Sequence, residues 1–173
     1  MVGCDKEKTS GQIKIIWYAG GIMGDEPDMV RKLLLGQLDG GGFSGMGLGK
    51  ISPQLCVLYL PFLFENYEEV DLVLKNFKNT FNGILERKNV LILGWAEMGF
   101  IYLFSKKEIK TSQDLKGLKI WIWAGDPVAN AVAEELSGIS SFYPVSVPEV
   151  LTSLRAGIAE TFYSSPLATG ALQ

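Results

Sequence analysis

Apolar residues along this chain fall into short runs broken by glycine, proline and acidic clusters, and their spacing switches between two and three-to-four. Residues 13–18, Ile-Lys-Ile-Ile-Trp-Tyr, are β-branched and aromatic and stop at Gly20-Gly21, which predicts a strand entering a tight loop. Asp25-Glu26-Pro27-Asp28 predicts a helix start, because acidic groups favour the positive end of the dipole and proline suits the first turn. That helix covers residues 28–35 and ends at Gly36; residues 38–43 then run extended into a glycine-rich loop. Residues 55–64 are a second apolar stretch, with Pro61 at an edge or leaving a sheet. From Tyr67 to Arg87 apolar residues recur at three and four, as in a helix or a helix pair broken at Asn82-Gly83. Residues 90–95 are continuously apolar, the pattern of a strand buried on both faces, and residues 100–104 predict another.

The last third is punctuated more sharply. Thr111-Ser112-Gln113-Asp114 has capping-box spacing, and Gly117 ends that turn. Residues 119–123 alternate as a strand, and Asp126-Pro127 caps and opens a helix over 128–136. A short strand at 142–145 leads to a second capping box, Ser146-Val147-Pro148-Glu149, and a helix to Arg155 that Gly157 terminates. Residues 158–163 predict a strand, and Pro166 begins a helix running to 172. Strands alternating with helices predict an α/β fold with mostly parallel sheets.

Composition narrows the chemistry. With 47% hydrophobic and 20% charged residues the chain can bury a core, and the composition argues against disorder. The net charge of −3 gives no basic footprint for nucleic acid. Histidine is absent, which removes imidazole acid–base chemistry, Ser-His or Cys-His nucleophiles and the usual zinc sites. Cys4 and Cys56 form no C-x-x-C pair. No apolar run is long enough for a membrane helix, and no secretory leader opens the sequence. Val2-Gly3-Cys4 is similar to the end of a lipoprotein signal, but the apolar stretch such a signal needs is missing, so a polar start is expected.

Gly40-Gly41-Gly42-Phe43-Ser44-Gly45 matches G-x-G-x-x-G, and Gly49-Lys50 matches the tail of a P-loop. Both fail on context, since no long helix can follow and Ile51 stands where Ser or Thr is needed. The glycines instead let backbone approach a ligand or another loop, with Phe43 and Ser44 directed toward it. Trp121 and Trp123 share one strand face and are either core or ligand-facing. Trp95, Glu97 and Tyr163 fall at predicted strand ends, where open α/β sheets bind ligands, although Glu97 also reads as a solvated loop charge. No carboxylate pairing or metal motif emerges, and no cofactor is implied.

These motifs, taken in order, resemble one family, the solute receptors of tripartite ATP-independent periplasmic (TRAP) transporters of the dicarboxylate-receptor type. The resemblance rests on Tyr18-Ala19-Gly20-Gly21, Gly24-Asp25, Leu35-Gly36-Gln37-Leu38-Asp39 and Leu60-Pro61-Phe62-Leu63-Phe64. It continues through Gly94-Trp95-Ala96-Glu97-Met98-Gly99-Phe100, Ser105-Lys106 with Asp114-Leu115-Lys116-Gly117-Leu118-Lys119-Ile120, and Pro148, Glu149, Val150, Leu154 and Gly157. It implies a two-lobed periplasmic-binding-protein-like fold, incomplete at both ends. Residues 1–98 would form a first lobe lacking its initial strand, residues 99–163 a second lobe, and residues 164–173 a return to the first.

The resemblance implies a non-enzymatic, periplasmic receptor that passes a small organic solute to TRAP membrane subunits. An α/β enzyme or ligand sensor on the same topology is the alternative. Trp121 stands where the family places its carboxylate-binding arginine, Ile101 replaces a second basic position, and Ser164 and Ser165 lie near an expected asparagine. The expected site is therefore apolar and aromatic, from Trp121, Phe43, Trp95 and Tyr163, with Ser44, Glu97, Ser164 and Ser165 orienting a neutral, aromatic or aliphatic solute. A chain lacking a sheet-interior strand is also expected to be aggregation-prone or strongly destabilised.

Overall fold

A computed structural model describes residues 9–171; the Val2-Gly3-Cys4 start and Leu172 lie outside them. Helices dominate the first half. Asp25 caps α1 (Glu26–Leu34), its Oδ1 accepting from the Glu26 amide at 2.9 Å. Ser44 caps α2 (Gly45–Ile51), and a 3₁₀ helix follows over Pro53–Tyr59. The apolar stretch expected around Pro61 is thus helical up to Tyr59 rather than strand. Asn66 caps α3 (Tyr67–Glu86), which runs unbroken through Asn82-Gly83 because Phe81, Ile84 and Leu85 are buried on one face. With Val30, Ile51 and Leu55 they make a first core.

The second half carries the sheet: β1 (Tyr102–Ser105), β2 (Lys119–Trp123), β3 (Ser141–Val145) and β4 (Thr161–Ser164), in the order β1-β4-β2-β3. β2 lies parallel to both β3 and β4, whereas β1 and β4 are antiparallel. Helices α4 (Pro127–Glu135) and α5 (Val150–Arg155) connect the parallel strands, and α6 (Pro166–Ala171) follows β4. Thr111 and Asp114 form the expected reciprocal capping box. Ser146 and Glu149 do not; the serine hydroxyl instead donates to the Glu149 carboxylate at 2.7 Å. Trp121, Val150 and Ala159 centre a second core.

Two expected strands are absent. Residues 13–18 pair with no other described segment, and Ile16 and Trp17 are exposed. Residues 90–93 pack on one face only: Val90 and Ile92 meet the first core, while Leu91 is 71% and Leu93 99% exposed; Trp95, of the opposite parity, also reaches that core. The alternation is strand-like, but a strand exists only where a neighbour satisfies its backbone groups, and no described element runs alongside.

Candidate functional site

In parallel α/β sheets the loops beyond the carboxyl ends of the strands face ligands. Here those loops are residues 124–126 after β2 and residues 146–148 after β3. Asp25, at the head of α1, meets the last residue of β2 and the segment after β3. Its Oδ2 accepts from the Trp123 indole Nε1 at 2.7 Å and from the Val147 amide at 3.2 Å. One carboxylate thus caps a helix of the first half and joins it to two strand ends of the second.

Asp126 makes the second connection. Its buried carboxylate caps α4 through the Val128 and Ala129 amides, at 2.9 and 3.2 Å. Tyr59, from the first half, donates to Oδ1 at 3.2 Å, and Tyr163, on β4, donates to Oδ2 at 3.3 Å. The Tyr163 oxygen also accepts from the Trp123 amide at 3.1 Å. Burial, with the nearby Asp126 charge, pushes both phenols well above their ordinary value, so both remain protonated donors. Beside them Lys50 approaches Gly125, whose φ of +83° suits glycine; a Cβ there would lie 3.4 Å from Lys50 Nζ. An apolar groove of about 540 Å³ continues along this seam between Cys56, Leu60 and Pro61 on one side and Val128, Val132 and Leu136 on the other.

The glycine-rich loop is held from below by Glu26. Its carboxylate accepts from the Ser44 amide and hydroxyl and from the Gly47 amide, all within 3.1 Å. Burial raises its pKa, opposed by these hydrogen bonds and reinforced by neighbouring Asp25. Gly47 is required by this clamp, because a Cβ there would run into the Glu26 carboxylate and the Phe43 ring.

The anticipated site residues do not converge on one cavity. Trp121 is 4% exposed, and its Nε1 donates to the Val145 carbonyl at 3.0 Å. Its ring packs on Tyr163 with centroids 5.3 Å apart, so this pair does come together, inside the second core. Phe43 and Trp95 pack against the first core, and Ser44 is occupied by Glu26. The Trp95 indole nitrogen is buried without a partner. Glu97 and Ile101 are exposed. Ser164 donates to the Ser165 carbonyl at 3.2 Å, and buried Ser165 accepts from the Ala168 amide in α6. Sequence reading missed Asp25, Tyr59 and Asp126 as site residues, and left Trp123 open between core and ligand. The two aspartates were legible as helix caps, but nothing local shows that their second oxygens reach other elements. No group of three or more His, Cys, Asp or Glu among the described residues is placed to hold a metal ion.

A sequence profile described as DctP, bacterial extracellular solute-binding protein, family 7, matches residues 5–165. A solute-binding protein of Chromohalobacter salexigens is 29% identical over 169 residues, covering 95% of this chain and 49% of the relative. Two solved TRAP periplasmic solute-binding proteins superpose on 92% of the chain. The one from a Sulfitobacter species, with bound β-D-galacturonate, has TM-score 0.82, 25% identity and 53% of its own chain covered. The other, from Chromohalobacter salexigens with bound D-glucuronate, has TM-score 0.81, 25% identity and 52% covered. This chain therefore spans about half the length of the proteins it matches.

Proposed function

Because the chain belongs to family 7 of the bacterial extracellular solute-binding proteins, we propose that it contributes the facing walls of a periplasmic TRAP receptor. The receptor binds a small organic acid without chemical change and presents it to membrane subunits. Residues 1–98 belong to one lobe, 99–163 to the other, and 164–173 return to the first. The observation that carries this reading is the seam at the carboxyl ends of β2 and β3, where Asp25 reaches Trp123 and Val147 across two separate cores.

A hydroxylated acid replaces the neutral or aromatic solute expected from Trp121 and Ile101. The two related structures hold uronates, and Trp121 is committed to the second core, so its presence in place of arginine leaves acid recognition to other donors. Lys50 supplies an ammonium group and Trp123 an indole N–H suited to a carboxylate, and the Tyr59 oxygen, whose proton goes to Asp126, is left to accept from a solute hydroxyl.

Calorimetric titration with D-galacturonate, D-glucuronate, a dicarboxylate and a neutral hexose tests the proposal, with the recovered solute analysed afterwards. Saturable binding of a sugar acid, recovered intact, is expected. Turnover of the solute would assign the fold to an enzyme, and preference for the neutral hexose would overturn the acid class.

A further inference from the structure

The Trp123 indole N–H and the Val147 amide converge on one oxygen, Asp25 Oδ2. Trp123 is the last residue of β2 and Val147 opens the short 3₁₀ helix that follows the parallel neighbour β3, both at the end of the strands where ligands bind. Asp25 needs only Oδ1, through the Glu26 amide, to cap α1. Its second oxygen forms no ion pair with any described residue and is held across the seam by N–H donors alone. Two donors that already bind a carboxylate oxygen form a site for that chemistry, and its occupant here is part of the chain itself.

We infer that Trp123 Nε1–H and the Val147 N–H form the oxyanion subsite for the solute carboxylate, and that Asp25 is an internal competitor displaced when the acid binds. The inference deepens the receptor reading and rests on it. Two carboxylates cannot share this part-buried donor pair, since like charges at contact repel. The exchange is near balance in hydrogen bonds: the incoming acid takes both donors, while Asp25 keeps its cap and returns its free oxygen to water. The cost of displacing Asp25 lowers the apparent affinity for acids, and the same displacement breaks one of the two polar ties between the halves. A neutral solute lacks the charge needed to displace it, so the device also selects for acids.

The sign of one substitution separates a competitor from a latch that merely holds the halves shut. Asp25→Ser retains a cap oxygen for the Glu26 amide but is too short to reach Trp123. Asp25→Asn keeps the side-chain length without the charge and guards against a serine variant that folds poorly. On the whole chain, the Trp123 indole N–H resonance, assigned through Trp123→Phe, is followed by NMR during titration with sodium acetate and with D-glucuronate. Both anions are expected to shift it in Asp25→Ser at concentrations about ten-fold below those needed by the wild type, with Asp25→Asn intermediate. Trp123→Phe should weaken calorimetric binding of D-glucuronate about ten-fold or more, the effect of losing one hydrogen bond to a charged group. Weaker binding in Asp25→Ser than in the wild type would make Asp25 a latch and overturn the inference. So would an indole resonance that neither anion moves in any variant. Failure of the receptor reading looks different: acetate shifts the resonance as expected, but no sugar acid binds more tightly than acetate.

Discussion

The Tyr59 hydroxyl donates to Asp126 Oδ1 at 3.2 Å, tying the 3₁₀ helix after α2 to the head of α4, 67 positions later. The acceptor is a buried carboxylate already engaged with two amides, so the bond is charge-assisted. Tyr59→Phe should lower stability by about 1–2 kcal/mol. Asp126→Ala should cost more, because it removes the α4 cap, leaves the Tyr163 phenol without an acceptor and Tyr59 with only the weak acceptor Cys56 Sγ. Urea midpoints of the two variants compared with wild type check the order.

Glu26 predicts a pH dependence with a definite sign. Burial lifts its pKa above the ordinary 4.5, so the fold favours the neutral carboxyl. Its contribution is fully present below the unfolded value and is lost as pH rises through the raised folded value. Glu26→Gln, which mimics the neutral form, should therefore gain stability relative to wild type as pH rises from the ordinary 4.5 through the raised folded value. A difference independent of pH across that window would contradict the burial argument.

Gly47→Ala should disrupt the same clamp sterically. The new methyl would meet the Glu26 carboxylate and lie 2.9 Å from the Phe43 ring. A loss of about 1–3 kcal/mol is expected, together with faster amide exchange at Ser44 and Gly47. Unchanged exchange would place the clamp elsewhere.

Leu93 and Leu85 should respond oppositely to replacement. Leu93, 99% exposed on an unpaired apolar segment, is expected to promote self-association. Leu93→Lys should reduce light scattering while changing stability by no more than about 0.5 kcal/mol. Leu85→Ala, at a site 1% exposed, should cost about 2–5 kcal/mol. Scattering that is insensitive to Leu93→Lys would exonerate this segment.

Features encoded within a few residues were legible in the sequence. Asp25, Asp126 and the Thr111–Asp114 box cap helices as their spacing implies, and the alternation at 119–123 is strand β2. Features that depend on a distant partner were not. Residues 13–18 and 90–95 have strand composition, yet pairing is a property of neighbours, and the described chain supplies none. The same limit applies to the site: Trp121 and Trp123 are adjacent on one strand face, but only the tertiary arrangement buries the first and turns the second's indole toward Asp25. The Val147 donor is a backbone amide and leaves no trace in residue type.

β1 and β4 run antiparallel through four register pairs, with Ser105 and Thr161 also joined through their hydroxyls at 2.8 Å. At the opposite end of the ladder, Gly99, with φ +91°, sits beside the Tyr67 hydroxyl of α3 and the Ser165 side chain. The two passages of chain are therefore geared together: neither slides lengthwise without dragging the other out of register. Sliding one passage along the other would break all four register pairs at once, and Gly99, free of a Cβ where the ladder nears α3, lets the chain turn there beside Tyr67 and Ser165.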